Sequence, residues 1–307
     1  MTAASTPLPL PLGEGEGEGA VLRPPPRRLR HAPFWQRFRR YPIGLLGAAI
    51  VLIVVLLAIS ADLITPYDPV WQIDERLTPP NWDYVLGLDE FGRDVYSRII
   101  YGARVSLYAG IVSVIFIALP FGSVLGVLAG FFRGWVDTLL SRLVDIMFAF
   151  PALLLAITIV GVLGPSLTNT MVAIGIVYAP TFARIARGST LGVSNLDYIV
   201  ASRTIGAGNA RIIAQHVLPN IAAPLIIQTT LALSTAILIE ATLSFLGLGT
   251  QPPMPSWGTM LGTGRRYMEL APWVAIYPGI AIMIAVLGFN LAGDGLRDAL
   301  DPRLREA

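Results

Sequence analysis

Few side chains in this sequence are equipped for chemistry. It has no cysteine and two histidines, His31 and His216, far apart in the chain. Disulfides, iron–sulfur clusters and thiolate metal sites fall away, and no metal-ligand spacing is left. Every basic residue is arginine, and lysine is absent. The phosphate-binding loop of an ATPase needs a lysine on the β and γ phosphates, and Schiff-base chemistry needs one as nucleophile. Energy from ATP therefore has to arrive through a partner. Neither a His-Glu-x-x-His nor a Gly-x-Ser-x-Gly run is present, which argues against a membrane-embedded hydrolase. What remains is a handful of ionisable residues in apolar surroundings. Glu240 is an acid inside an apolar run and so a candidate for contact with a path through a membrane; the other reading is a hydrogen bond to a neighbouring helix. Arg142 and Asp145, three apart on a helix, are expected to pair locally. Arg184 and Arg187 are expected to snorkel from a helix end. Asp294 and Asp298 are expected to be solvated, and His216 to lie on a helix face that touches a partner or water.

The elements that position these residues are apolar helices. Of 307 residues 54% are hydrophobic and 14% charged, and the mean hydropathy is +0.65. A soluble domain needs a more charged surface, and a net charge of +2 makes no case for nucleic acid. Six apolar stretches, near 43–65, 104–130, 138–162, 169–189, 222–246 and 273–293, each reach the roughly 20 residues that cross ~30 Å of hydrocarbon. The first is too long and too far from the start for a cleaved signal peptide. Residues 1–40, with a Gly-Glu repeat at 13–19 and Pro24, Pro25 and Pro26, read as a disordered tail. That tail ends in Arg27, Arg28, Arg30, Arg37, Arg39 and Arg40, interleaved with Phe34, Trp35 and Phe38. Such a cluster suits an anionic headgroup layer better than nucleic acid. Arginines are denser in the segments that become cytoplasmic when both termini are inside, and the acidic residues 68–94 then fall outside. Pro120, Pro151, Pro180, Pro224 and Pro278 interrupt the stretches and predict kinks. Gly122, Gly126 and Gly130, four apart, predict a face for close helix packing.

Residues 191–222 are too long and too ordered in pattern for a mere connection. Ser194 or Asn195 is expected to cap a short helix, which Gly206 and Gly208 end. Asn209 is expected to cap a second, which Leu218 and Pro219 stop. The product is a helix–turn–helix on the cytoplasmic side.

Here the sequence resembles the inner-membrane components of binding-protein-dependent ABC importers. Their cytoplasmic EAA loop reads Glu-Ala-Ala, three residues, Gly, nine residues, Ile, one residue, Leu-Pro. Ala201, Ser202, Gly206, Leu218 and Pro219 match at the right spacing, with Val200 at the usual Glu and His216 at the usual Ile. Residues 86–98, 142–151, 240–249, 252–258 and 293–302 are similar to segments of the C-type permeases for dipeptides, oligopeptides and nickel, so the likeness runs from about residue 41 to 305. The resemblance implies an all-α polytopic bundle of six transmembrane helices with the type I ABC importer permease fold. It implies four regions: the tail (1–40), the first transmembrane helix and extracytoplasmic segment (41–103), a core (104–295) carrying the loop 191–222, and a cytoplasmic end (296–307). It implies a permease for dipeptides or oligopeptides in a bacterial or archaeal inner membrane, not itself an enzyme, without a cofactor of its own. ATP and Mg would act in two separate ABC ATPases, beside a second permease subunit, an extracytoplasmic solute-binding protein and the lipid bilayer. The ATPase contact implied is Ala201, Ser202, Arg203, Gly206, Ala207, Arg211, His216, Leu218 and Pro219. An ion-coupled secondary transporter is the rival, but it needs several acids at the membrane midplane, and a scaffold without transport is a further alternative.

Overall fold

The computed structural model describes residues 38, 39 and 41–300. Most of the tail with its arginine cluster, and the last seven residues with Arg303 and Arg305, lie outside the described residues. The described chain is mostly helical, with one isolated bridge, Leu88 to Asp94, in place of any sheet.

Six helical runs correspond to the six apolar stretches. The first is α1 (Pro42–Ile59), followed by a short α2 (Ala61–Ile64). The second joins α3 (Val95–Ile111), a π-helical turn (Val112–Ala118) and α4 (Leu119–Phe132) into 38 residues. The third is α5 (Gly134–Phe148) and α6 (Ala152–Leu163), and the fourth is α7 (Leu167–Val193). The hairpin follows as α8 (Asp197–Thr204) and α9 (Asn209–Ile212). A π turn (Ile213–Val217) leads into α10 (Leu218–Phe245), then come α11 (Trp257–Gly264) and α12 (Trp273–Leu300). Among the described residues four runs are long and apolar enough to cross a membrane, or five if the bent α5–α6 pair is one span. The remaining run, α7, has the length. Its polar Thr168, Asn169, Thr170 and Thr181 lower its hydropathy, which it tolerates because α4, α6 and α10 enclose it.

Two expectations are corrected. The third stretch is no continuous kinked helix: α5 and α6 meet at 91°. Pro151, extended at ψ 129°, removes the N–H that would continue the ladder and starts α6 afresh. Nor do Leu218 and Pro219 end a helix. They open α10, so residues Asn209–Phe245 form one run of 37 residues. Proline at the first turn of a helix lacks only a donor that is spare there, and the π turn just before it widens the ladder where Pro219 would otherwise clash.

Two backbone seams hold the bundle. In the first, the glycines of α4 face α7 as their spacing predicts. A Cβ on Gly122 would overlap the Ala179 carbonyl, one on Gly126 the Ala183 carbonyl, and one on Gly130 would stand 2.8 Å from the Arg187 carbonyl. In the second, α1 lies against α12: a Cβ on Gly44 would stand 2.6 Å from Gly295 Cα, and Gly47 abuts Leu291 and Ala292. Small residues let backbones approach and gain dispersion contacts that lipid cannot compete for.

Between α2 and α3 the chain is irregular yet braced from within. Buried Asp89 accepts from Arg93 Nε at 2.7 Å and lies 3.2 Å from Arg98 Nε, while Arg98 Nη1 donates to the Pro69 carbonyl at 2.6 Å. Arg104 donates to the Ala58 carbonyl at the end of α1 and pairs with Asp62 at 3.0 Å. The carboxyl of Asp62 is held below its usual range by the Arg104 guanidinium, with help from the Tyr101 hydroxyl.

Candidate functional site

The hairpin is built from a short helix, a glycine turn and the root of a long helix. α8 closes with the paired bonds of a Schellman motif: Gly206 N–H donates to the Arg203 carbonyl at 3.0 Å and Ala207 N–H to the Ser202 carbonyl at 3.0 Å. The motif demands a left-handed residue, and Gly206 supplies φ +86°. No atom lies within 4 Å of where its Cβ would be, so the turn faces open space. α8 has no side-chain cap, since Leu196 stands at its N-cap. Asn195 is occupied elsewhere: its Oδ1 accepts from Arg133 Nη2 at 2.7 Å and its Nδ2 donates to the Leu191 carbonyl at 3.0 Å. The second short helix starts from Gly208, with Asn209 its first residue.

One face of the hairpin is anchored. Ile199, Ile212, Val217 and Ile221 are fully buried. Asn220 Nδ2 donates to Tyr198 Oη at 3.2 Å and to the His216 carbonyl at 2.6 Å, and the rings of Tyr198 and His216 meet edge to face at 5.9 Å. The Arg203 guanidinium lies 4.8 Å over the Phe131 ring at the end of α4. The other face is presented outward. Ala201, Gly206, Arg211, Leu218 and Pro219 are exposed, as are Val200 and Ile205, the latter at 85%; Arg203 is exposed too, although its guanidinium turns back to α4. Ser202, Ala207 and His216 are half-buried between the two faces. The nine residues expected to form a contact thus do gather on one protrusion. Arg133, Asn195, Tyr198 and Asn220, which fasten it, carry no motif, and only the Tyr198–Ser202 and His216–Asn220 spacings of four hint at the bonds.

Glu240 lies at the opposite end of the run that begins at Asn209. It is 0% exposed. Ser106 Oγ of α3 donates to one carboxyl oxygen at 2.9 Å and Ser244 Oγ to the other at 2.7 Å. Ser244 stands one turn away and could be found from its spacing; Ser106 is 134 positions distant and could not. The charges near the hairpin pair between helices rather than within one. Arg187 of α7 binds Asp137 of α5, with Nη2 at 2.7 Å from Oδ2, in place of the expected snorkelling. Asp145 lies 3.8 Å from Arg184, which also stacks 3.9 Å over Phe148. No pair forms between Arg142 and Asp145 among the described residues, because the arginine of α7 reaches the acid across the α5–α7 contact.

Residues 122–306 match the family described as binding-protein-dependent transport system inner membrane component, and residues 32–80 match the N-terminal TM domain of oligopeptide transport permease C. The chain is similar to the di/tripeptide transport system permease protein DppC of Pseudomonas aeruginosa, 50% identical over 281 residues, 89% of this chain and 92% of that one. It is similar to the dipeptide transport system permease protein DppC of Haemophilus influenzae, at 45% identity over 89% of this chain and 95% of the relative. The glutathione transport system permease protein GsiD of Pectobacterium atrosepticum is 44% identical over 89% and 91% of the two chains. Among solved structures, a chain of the inward-facing MetNI methionine ABC transporter aligns over 66% of this chain and 96% of its own. Its TM-score is 0.52 at 23% identity, a likeness of fold.

Proposed function

We propose, since this chain belongs to the family of binding-protein-dependent transport system inner membrane components, that it is a permease subunit of an ATP-driven ABC importer for dipeptides or oligopeptides. The names of its relatives support the solute class. The protrusion 191–222 is the contact for an ABC ATPase, made by Ala201, Ser202, Arg203, Gly206, Ala207, Arg211, His216, Leu218 and Pro219. A second permease subunit stands beside this chain, two ATPases lie below, and a solute-binding protein delivers peptide from the other side. Both termini face the cytoplasm, residues 68–94 the exterior, and ATP and Mg act only in the partners.

One observation carries this reading. The protrusion is locked to the bundle on one face and bare on the other, with an open, left-handed glycine at its tip. A motor that closes on nucleotide can grip such a projection, and the two access states of the bundle then follow the motor's state.

Purification in mild detergent from the native membrane tests it. Two P-loop ATPases and a second permease are expected among the bound chains; recovery without any ATPase would overturn the assignment. Labelling of a cysteine placed at position 205 should proceed only from the cytoplasmic side.

A further inference from the structure

We propose that Glu240 is a positioning residue that couples the hairpin's long helix to the loop 247–256 at the far end of the bundle. This rests on the coupling role assigned above to the hairpin. The run Asn209–Phe245 has 37 residues, about 55 Å at the rise of a helix. It carries the protrusion at its start and Glu240 one and a half turns from its end. Glu240 is the one ionisable residue of α10, and among the described residues no arginine pairs with it. A buried carboxyl without a cation is costly unless hydrogen-bonded, and an apolar side chain would fill the same space without that cost. Its two bonds explain its place by what they join.

One oxygen takes the Ser106 hydroxyl and so ties α10 to α3. The other takes the Ser244 hydroxyl, whose oxygen in turn accepts the Thr250 N–H at 3.1 Å. A relay of carboxyl, hydroxyl and backbone amide thereby joins the long helix to the loop after it. The loop is pressed onto this relay: a Cβ on Gly249 would overlap Ser244 Oγ, and one on Gly258 of α11 would overlap the Ala241 carbonyl. Trp257 at the start of α11 donates to the Ile99 carbonyl of α3 at 2.9 Å. Movement of α10 therefore carries the loop and α11 with it and works against the Ser106 and Trp257 bonds to α3. Buried polar networks of this kind select one arrangement among several packings of similar density.

The test uses the complete complex, with its ATPases, partner permease and binding protein, in proteoliposomes, supplied with an isotope-labelled pool of di- to pentapeptides. Glu240→Gln keeps the volume but puts a donor where an acceptor stood, and Ser244→Ala removes the relay alone. Both variants are expected to assemble and to keep basal ATPase activity. Peptide uptake, and the ratio of ATPase activity with liganded binding protein to that without, should both fall roughly tenfold. Wild-type uptake and ratio in both variants would overturn the proposal. So would losses that merely track the amount of assembled complex. A Gly206→Val complex run alongside separates the two readings. If that variant stays coupled, the hairpin assignment fails and this one with it. If it uncouples while both relay variants behave as wild type, only the relay fails.

Discussion

The α4–α7 seam and the hairpin tip are both built on glycine, for opposite reasons. At Gly122 and Gly126 the backbone dihedrals are those of a helix, and any residue could adopt them; what is missing is room, because a Cβ would overlap a carbonyl of α7. At Gly206 there is room for a Cβ, and what is missing for other residues is the dihedral, φ +86°. The first region needs glycine to be a structure and the second needs it to display one. A substitution at the seam should act on assembly of the bundle, whereas one at the tip should act on what the bundle does.

Four experiments press on that contrast. The largest effect is expected from Gly126→Leu, which forces α4 off α7 and should cost more than about 3 kcal/mol. Size-exclusion chromatography in detergent should show little monodisperse protein, and normal recovery would dissolve the distinction at its strong end. Gly206→Val comes next. A β-branched residue in the left-handed region costs roughly 1–3 kcal/mol, confined to the turn. The protein should stay monodisperse, with its thermal unfolding lowered by only a few degrees, while peptide uptake is lost. Arg133→Ala removes the bond to Asn195, worth about 0.5–1.5 kcal/mol. Hydrogen exchange should then quicken in residues 195–205 alone, and an equal rise in α7 would mean the hairpin is not a separable unit. Smallest is Gly188→Ala on α7, where nothing lies within 4 Å. It should raise stability by up to about 1 kcal/mol, because alanine suits a helix interior better than glycine, and leave uptake unchanged.

The sequence carried the seam and the tip plainly, and the reason is that both are local. Glycines four apart mark one helix face whatever lies opposite, and Gly206 with Asn209 marks a turn between two short helices. The six apolar stretches were legible on the same ground. What escaped depends on partners distant in the chain or on how proline is absorbed. Pro219 reads as a stop, yet a π turn in front of it lets the helix run on to Phe245. Pro151 reads as a kink and is instead a 91° break. Arg142 and Asp145 have the spacing of a pair, but Arg184 from another helix competes for the acid. The anchoring of Asp89 by Arg98, and of Arg98 by the Pro69 carbonyl, brings together groups that no periodicity connects.

The α1–α12 seam bears on how the protein is made. Of the described spans α1 leaves the ribosome before the others, and the helix that Gly44 and Gly47 fit leaves it after them. About 250 residues separate Gly44 from Gly295, and at ~5–20 residues per second α1 must wait for tens of seconds with its seam face bare. Its mean hydropathy, 2.9, exceeds that of the other three unbroken spans. A segment that apolar can reside in lipid by itself until its neighbour arrives.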